Sequence, residues 1–315
     1  MCNVRAKLEK IINFVYSNDE NMGKRISFAL FGNIYQPEKS ASVQKLLSIL
    51  RKHNADIMID RSFRTYLTDV LHISVTDTVT IQDDDFTADV AISMGGDGTF
   101  LEAARKVGDK QIPILGINMG RLGFLADFTP EDIEYAIDGV CSGELNCVGR
   151  SVLEVKYSVG SPQSYPYALN EVAVLKRDNS SMISIRVEVG GEYLTTYQAD
   201  GLIVNTPTGS TGYALSVGGP VMMPGSGILG LVPVAPHSLN VRPITIDDDM
   251  EITLSIESRS HNFLVAIDGR SEKCMEGTRI TIRKAPHKVF IVKRQGSSFF
   301  HTLRSKLLWG SDIRS

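Results

Sequence analysis

From Ile26 onward the apolar positions follow two grammars in succession. The first alternates short buried runs with amphipathic stripes. Ile26 to Phe31 and Ala55 to Ile59 read as strands, with the Val43, Leu46, Leu47 and Leu50 stripe of a helix between them. Pro37 suits the first turn of that helix. Phe63 to Leu71 predicts a short helix, and Val90 to Met94 a strand apolar on both faces. Thr99 to Val107 follows as a run of good helix formers, then Ile112 to Asn118 as another buried strand. Thr129-Pro130-Glu131-Asp132 marks a helix start, with an N-cap threonine, proline behind it and acids in the first turn. Strand–helix alternation of this kind predicts an α/β domain, Rossmann-like, with a mostly parallel sheet covered on both faces.

The grammar changes near Cys147. Ser151 to Tyr157, Ile183 to Val189 and Glu251 to Ile256 alternate with period two, and Gly190-Gly191 signals a hairpin into Tyr193 to Tyr197. Helical patterns return only at Phe299 to Leu308. The expected organisation is an α/β domain over residues 23–146 and an all-β, sandwich-like domain over 147–297. A C-terminal helix, 298–315, is expected to pack back on the first domain. Residues 1–22 read as an appendage. Leu8, Ile11, Ile12 and Val15 have helical spacing before the polar break at Ser17 to Asn21, and either a second start at Met22 or an ordinary N-terminal helix fits.

Composition narrows the classes. The formal net charge of −3 leaves no basic excess to neutralise nucleic-acid phosphates. No apolar run approaches the roughly 20 residues that cross a bilayer, and the N-terminus has the pattern of no signal peptide. Cys2, Cys141, Cys147 and Cys274 are scattered, without a C-x-x-C pair, as idle thiols in a reducing compartment would be. A cytoplasmic protein with no membrane and no nucleic-acid partner is expected.

The candidate chemistry gathers at Gly95-Gly96-Asp97-Gly98-Thr99, placed between a buried strand and a helix start. That architecture presents backbone N–H groups to phosphate, and glycines remove the Cβ atoms that would hold a ligand away while permitting positive φ. Asp97 is out of keeping with such a cradle, because a carboxylate repels phosphate unless it binds a metal or accepts a proton. Leu101 stands where a dinucleotide fingerprint needs glycine, and no Walker motif occurs. Three further stretches stand out. Asn118 to Leu125 carries Arg121 and glycines, suited to phosphate contact or equally to a structural turn. Asn170-Glu171 interrupts an apolar run, where polar side chains need partners. Asp200 to Pro220 is so dense in glycine and hydroxyls that it reads as a ligand loop rather than core, with Tyr213 available to stack on a base.

Together these segments resemble the NAD kinase family, in the family's order and approximate spacing from Ile26 to the C-terminus. Pro236 to Pro243 and Ile267-Asp268-Gly269 resemble its bacterial members, although Gly212-Tyr213 stands where many members carry Ala-Tyr. The resemblance implies an α/β domain followed by a β-rich domain. It implies phosphorylation of NAD at the 2′-hydroxyl of the adenosine ribose by ATP, with Mg²⁺ or another divalent metal carried by the ATP phosphates. Asp97 falls on the proposed general base. Asn170 and Glu171 match the pair that binds the NAD adenosine, Asp200 an acid on the nicotinamide side, and Thr211, Gly212, Tyr213, Ala214, Leu215 and Ser216 the adenine and ribose lining. Gly98, Phe124, Gln198 and Arg270 are carried over to NAD binding, and Gly95, Gly96, Gly98, Thr99 and Arg121 to the phosphates. The family's oligomers build the site across subunits, so a homodimer or homotetramer is implied. Two alternatives stay open on the motifs: a diacylglycerol-type lipid kinase, which shares Gly-Gly-Asp-Gly-Thr but has no need of the Thr206–Gly219 run, and a non-catalytic nucleotide-sensing module, which has no need of Asp97.

Overall fold

A computed structural model of the chain describes residues 25–33, 40–120, 123–160, 165–178 and 182–310. The appendage expected at residues 1–22, Pro37 and Arg121 lie outside the described residues. The chain forms two compact units, one of residues up to Gly149 together with those from Val289, the other Arg150–Lys288.

In the first unit the elements run β1 (Ser27–Gly32), α1 (Ser40–Lys52), β2 (Asp56–Asp60), α2 (Arg61–Thr65), β3 (Val79–Ile81), β4 (Val90–Gly95), α3 (Asp97–Val107), β5 (Ile114–Asn118) and α4 (Ile133–Cys141). The strands lie in the order β5-β4-β1-β2-β3, and every pairing is parallel. Phe28, Leu30, Ile57, Ile59, Ile92, Leu115 and Ile117 bury one sheet face against the apolar stripes of α1 and α4. The α1 stripe is the one the periodicity predicts, Val43, Leu46, Leu47 and Leu50. Phe100, Ala103 and Val107 of α3 are buried as well. The single short helix expected over Phe63 to Leu71 divides instead into α2 and a π-helical turn, Tyr66–Val70. Before α4 the start signal is realised as a 3₁₀ turn, Pro130–Asp132, where the Thr129 N–H and hydroxyl both donate to Asp132 Oδ2 at 3.0 Å.

The second unit is built from β6 (Asn146–Tyr157), β7 (Tyr167–Ala168), β8 (Glu171–Lys176), β9 (Ile183–Val189), β10 (Glu192–Ala199), β11 (Gly201–Asn205), a four-residue helix α5 (Tyr213–Ser216), β12 (Ile228–Val234), β13 (Ile244–Asp247), β14 (Ile252–Glu257), β15 (Asn262–Ile267), β16 (Arg270–Met275) and β17 (Arg279–Lys293). One antiparallel sheet has the order β13-β12-β11-β8-β15-β16, and β10-β9-β14-β17 continue a second. Inward residues of both, among them Ile185, Val187, Leu254 and Ile282 from one and Val172, Val174, Leu202 and Val265 from the other, share a single core. The expected sandwich-like packing is therefore present. Gly190 and Gly191 both take positive φ in the turn between β9 and β10, as a tight hairpin requires. The last residues of β17 belong to the first unit, where Ile291 pairs parallel with Ile114 of β5, and α6 (Phe299–Leu307) follows them there.

Candidate active site

Parallel strands end their apolar runs at one edge of the sheet, and ligands of α/β sheets gather there. At that edge of the first unit β4 ends on Gly95 and α3 begins at Asp97, so Asp97 is the first helical residue. Glycine is needed at 95 and 123 for close approach. A Cβ on Gly95 would stand 2.2 Å from the Thr99 hydroxyl, and one on Gly123 would stand 2.1 Å from Asp97 Oδ1. A Cβ on Gly96 or Gly98 would meet nothing within 4 Å, so both face open space. None of Gly95, Gly96 and Gly98 takes positive φ, so of the two expected uses of these glycines the conformational one is not realised and the absence of a side chain remains.

The expected conflict between Asp97 and phosphate has a further resolution besides metal or proton. Asp97 Oδ2 accepts the Phe124 N–H at 3.0 Å and Oδ1 the Leu125 N–H at 3.2 Å. Lys306, on α6, places its ammonium 3.2 Å from Oδ2 and 4.4 Å from the centroid of the Phe124 ring. The Phe124 ring also packs against Phe299 at the other end of α6, centroids 6.4 Å apart. The carboxylate is thus aimed and charge-compensated by the chain itself.

The second unit holds a different arrangement. The backbone of Leu169, Asn170 and Glu171 turns between β7 and β8, and both sides of it are clamped. Asp268, in the turn between β15 and β16, accepts the N–H groups of Leu169, Asn170 and Glu171 at 2.7, 2.8 and 3.1 Å. The Thr206 hydroxyl donates to the Leu169 carbonyl at 2.6 Å and the Thr206 N–H to that of Asn170 at 2.9 Å. Gly209 lies so close that a Cβ would stand 2.1 Å from the Asn170 carbonyl oxygen. With the backbone fully engaged, Asn170 Oδ1 and Glu171 Oε2 remain buried and without a hydrogen-bond partner. An unmet buried acceptor costs about 1–3 kcal/mol, a cost that a ligand donor relieves. Burial, and secondarily the Asp268 carboxylate, push the Glu171 carboxyl up to about 7, opposed by the Tyr213 N–H. Burial likewise raises Asp268, opposed by its three backbone donors and by Arg270.

The structure brings Gly212 and Tyr213 beside this pair. A Cβ on Gly212 would stand 3.0 Å from Glu171 Oε2, and Tyr213 is exposed at the start of α5. Ala214 instead buries its side chain with Ala173, Ile203, Val232 and Ala266. The expectation that the hydroxyl-rich run is too polar for a core is also corrected. Thr206 and Ser210 are fully buried, with the Ser210 hydroxyl donating to the Pro207 carbonyl at 2.7 Å and accepting the Met222 N–H at 2.9 Å. These hydroxyls serve the chain's own backbone. Thr211 likewise bonds the Thr208 carbonyl, at 3.3 Å. Leu215 is partly buried and Ser216 exposed.

Gln198 and Asp200 lie elsewhere. Asp200 pairs with Lys176 at 2.7 Å at the far end of β8 from Glu171, roughly 17 Å along the strand at about 3.3 Å per residue. Gln198 donates to Ser184 Oγ at 3.0 Å, and with His237, Glu257 and Arg259 these residues line a cleft of 650 Å³. Arg270 donates to the carbonyls of Ile267 and Tyr167 at 3.0 and 3.2 Å, bracing the turn that carries Asp268. Sequence reasoning assigned no role to Asp268 or Lys306. Asp268-Gly269 was visible as a motif, whereas nothing in the pattern of α6 points to Asp97. Among the described residues no group of three or more His, Cys, Asp or Glu side chains is placed to hold a metal ion. The expectation for the divalent ion, that it is carried by the ATP phosphates, asks for no such group.

Residues 21–145 match the family model described as the ATP-NAD kinase N-terminal domain, and residues 169–294 the one described as the ATP-NAD kinase C-terminal domain. The chain is 56% identical over 289 residues to an NAD kinase of Bacteroides fragilis, spanning 92% of this chain and 100% of that protein. It is 41% identical over 288 residues to an NAD kinase of Porphyromonas gingivalis, 91% of this chain and 99% of the relative. An NAD kinase from Archaeoglobus fulgidus, solved in complex with ATP, superposes with a TM-score of 0.72 at 26% identity over 90% of this chain and 99% of that one. Yeast NADH kinase complexed with NADH shares the fold, with a TM-score of 0.83 at 21% identity over 93% and 90% of the two chains.

Proposed function

The chain belongs to the ATP-NAD kinase family, and from that premise we propose that it phosphorylates the 2′-hydroxyl of the adenosine ribose of NAD with ATP, Asp97 acting as general base and Asn170 with Glu171 holding the adenosine. The 2′-oxygen bonds to the γ-phosphorus as the bond from that phosphorus to the β,γ-bridging oxygen breaks. ADP leaves, NADP forms, and the hydroxyl proton passes to Asp97. An aspartate is a weak base, so positioning supplies much of the acceleration. The Phe124 and Leu125 amides fix the carboxylate for that purpose. A divalent metal, when bound with ATP, neutralises phosphate charge. The observation that carries the reading is the pair of buried, unpartnered acceptors, Asn170 Oδ1 and Glu171 Oε2. Ribose hydroxyls and the adenine amino group are donors of the kind they lack. A protonated Glu171 can in turn donate to a ribose oxygen.

The Asp200 cleft, well separated from Asn170 along β8, is consistent with a nicotinamide-side role filled by a second copy in a homodimer or homotetramer. Light scattering in solution checks the assembly. We also read the protein as cytoplasmic; among the described residues no helix is long and apolar enough to cross a membrane. The diacylglycerol-type alternative is not favoured, since both units match NAD kinase domains. Incubation of the chain with NAD, ATP and Mg²⁺ is expected to yield NADP, with dispersed diacylglycerol left unphosphorylated. Absence of NADP from a folded preparation refutes the reading.

A further inference from the structure

We propose that Lys306 of α6 is a catalytic residue of the phosphoryl transfer: its ammonium rests on Asp97 in the free protein and moves to the γ-phosphate oxygens when ATP is bound, releasing the carboxylate to take the hydroxyl proton. The inference rests on the reading of Asp97 as the base. Five observations carry it. Lys306 Nζ lies 3.2 Å from Asp97 Oδ2, the oxygen that also accepts the Phe124 amide. Both side chains remain about 30% exposed, at 29% and 30%, so a ligand can reach the pair. The ammonium stands 4.4 Å from the Phe124 ring centroid, a cation–π contact that retains a lysine near Asp97 without fixing its direction. The helix that carries it is held in the same unit by buried Leu303 and by the Phe299–Phe124 ring contact. Gly96 and Gly98 meanwhile leave the space beside Asp97 open.

Electrostatics supplies the direction of the exchange. A carboxylate offers the ammonium one negative charge, whereas the triphosphate offers several, and its γ-oxygens gather charge as the bond to ADP breaks. The lysine is not the proton acceptor. It contributes charge neutralisation, and the 2′-hydroxyl proton still goes to Asp97.

The test compares Lys306→Met, Lys306→Arg, Asp97→Asn and, as a control on the same helix, the exposed Arg304→Ala. Steady-state kinetics with NAD and Mg·ATP are measured beside calorimetric binding of Mg·ATP without NAD, and beside thermal melts. Lys306→Met should lower kcat by about 100-fold, the effect of removing one charged donor from a transition state. It should also weaken ATP binding in calorimetry while the KM for NAD stays within about twofold, a shift under 0.5 kcal/mol. Lys306→Arg should recover part of both losses, and Arg304→Ala should match the parent. If Lys306→Met melts early, Lys306→Gln replaces it under the same criteria. A parental or raised kcat with parental ATP affinity in the Lys306 variants, while Asp97→Asn is inactive, overturns the inference and leaves the Asp97 reading standing. An active Asp97→Asn enzyme removes the Asp97 reading itself.

Discussion

Asp97 and Glu171 are both carboxylates near the start of a regular element, yet the two units prepare them in opposite ways. Asp97 accepts one amide on each oxygen, from Phe124 and Leu125, and faces an ammonium. Glu171 is buried beside another acid, and its Oε2 has no partner. The first arrangement stores geometry, since a base that must collect one proton from one direction benefits from being aimed in advance. The second stores unmet hydrogen bonding, which a ligand with matching donors satisfies on binding. On the proposed reading, one unit serves the chemical step and the other recognition.

That contrast breaks most sharply at Asp97. Replacement by Asn is expected to reduce turnover by about 10²–10⁴, the usual contribution of a general base, with NAD and ATP affinities preserved. Initial rates with both substrates varied are the check, and near-parental turnover in a folded variant removes Asp97 from the chemistry. Gly123→Ala tests the aim rather than the base. Its Cβ would overlap Asp97 Oδ1 at 2.1 Å, so the loop must withdraw, and a displacement of that order costs turnover roughly 10²-fold. A melt within a few degrees of the parent, with NAD affinity retained, separates misaiming from unfolding.

Glu171→Gln probes the other unit through pH. The parent carboxyl rises from 4.5 to about 7 on folding. Between those values the folded chain holds a proton that the unfolded chain has released, so stability falls as pH rises through that window. The penalty is absent below 4.5 and complete above 7. Glutamine removes it, and the variant should gain about 3 kcal/mol over the parent at pH 8 and little at pH 4. Denaturant melts at the two pH values decide this, and an equal difference at both places the proton elsewhere. Asn170→Ala is the smallest effect, a rise of about tenfold in the KM for NAD, worth 1.4 kcal/mol. The KM for ATP should hold. A parallel rise in both would show that Asn170 supports the fold of the site and selects nothing.

Much of this was legible in the linear pattern. The alternation from Ile26 to Asn118 became a parallel sheet because a strand apolar on both faces must be covered on both faces. The period-two runs became antiparallel layers sharing one core, for the same reason of matching apolar faces. Gly-Gly-Asp-Gly-Thr and Asn170-Glu171 were visible as polar or glycine residues in places where apolar ones would pack better. Two hydroxyls of the dense run, Thr206 and Ser210, lie in the core against expectation. Thr206 and Ser210 are buried at no cost because backbone partners reach them, and such partners are set by chain crossings that composition does not encode.

Local sequence therefore determined which segments are strands and helices, where the chain changes grammar, and which residues are candidates for the chemistry. Those properties depend on neighbours within a few positions, through periodicity, capping and turn preference. Tertiary structure alone decided what each chemical group meets. Lys306 reaches Asp97 across 209 positions and Asp268 reaches Leu169 across 99. The meeting of groups so far apart depends on strand order and register, which are fixed only when the sheets assemble.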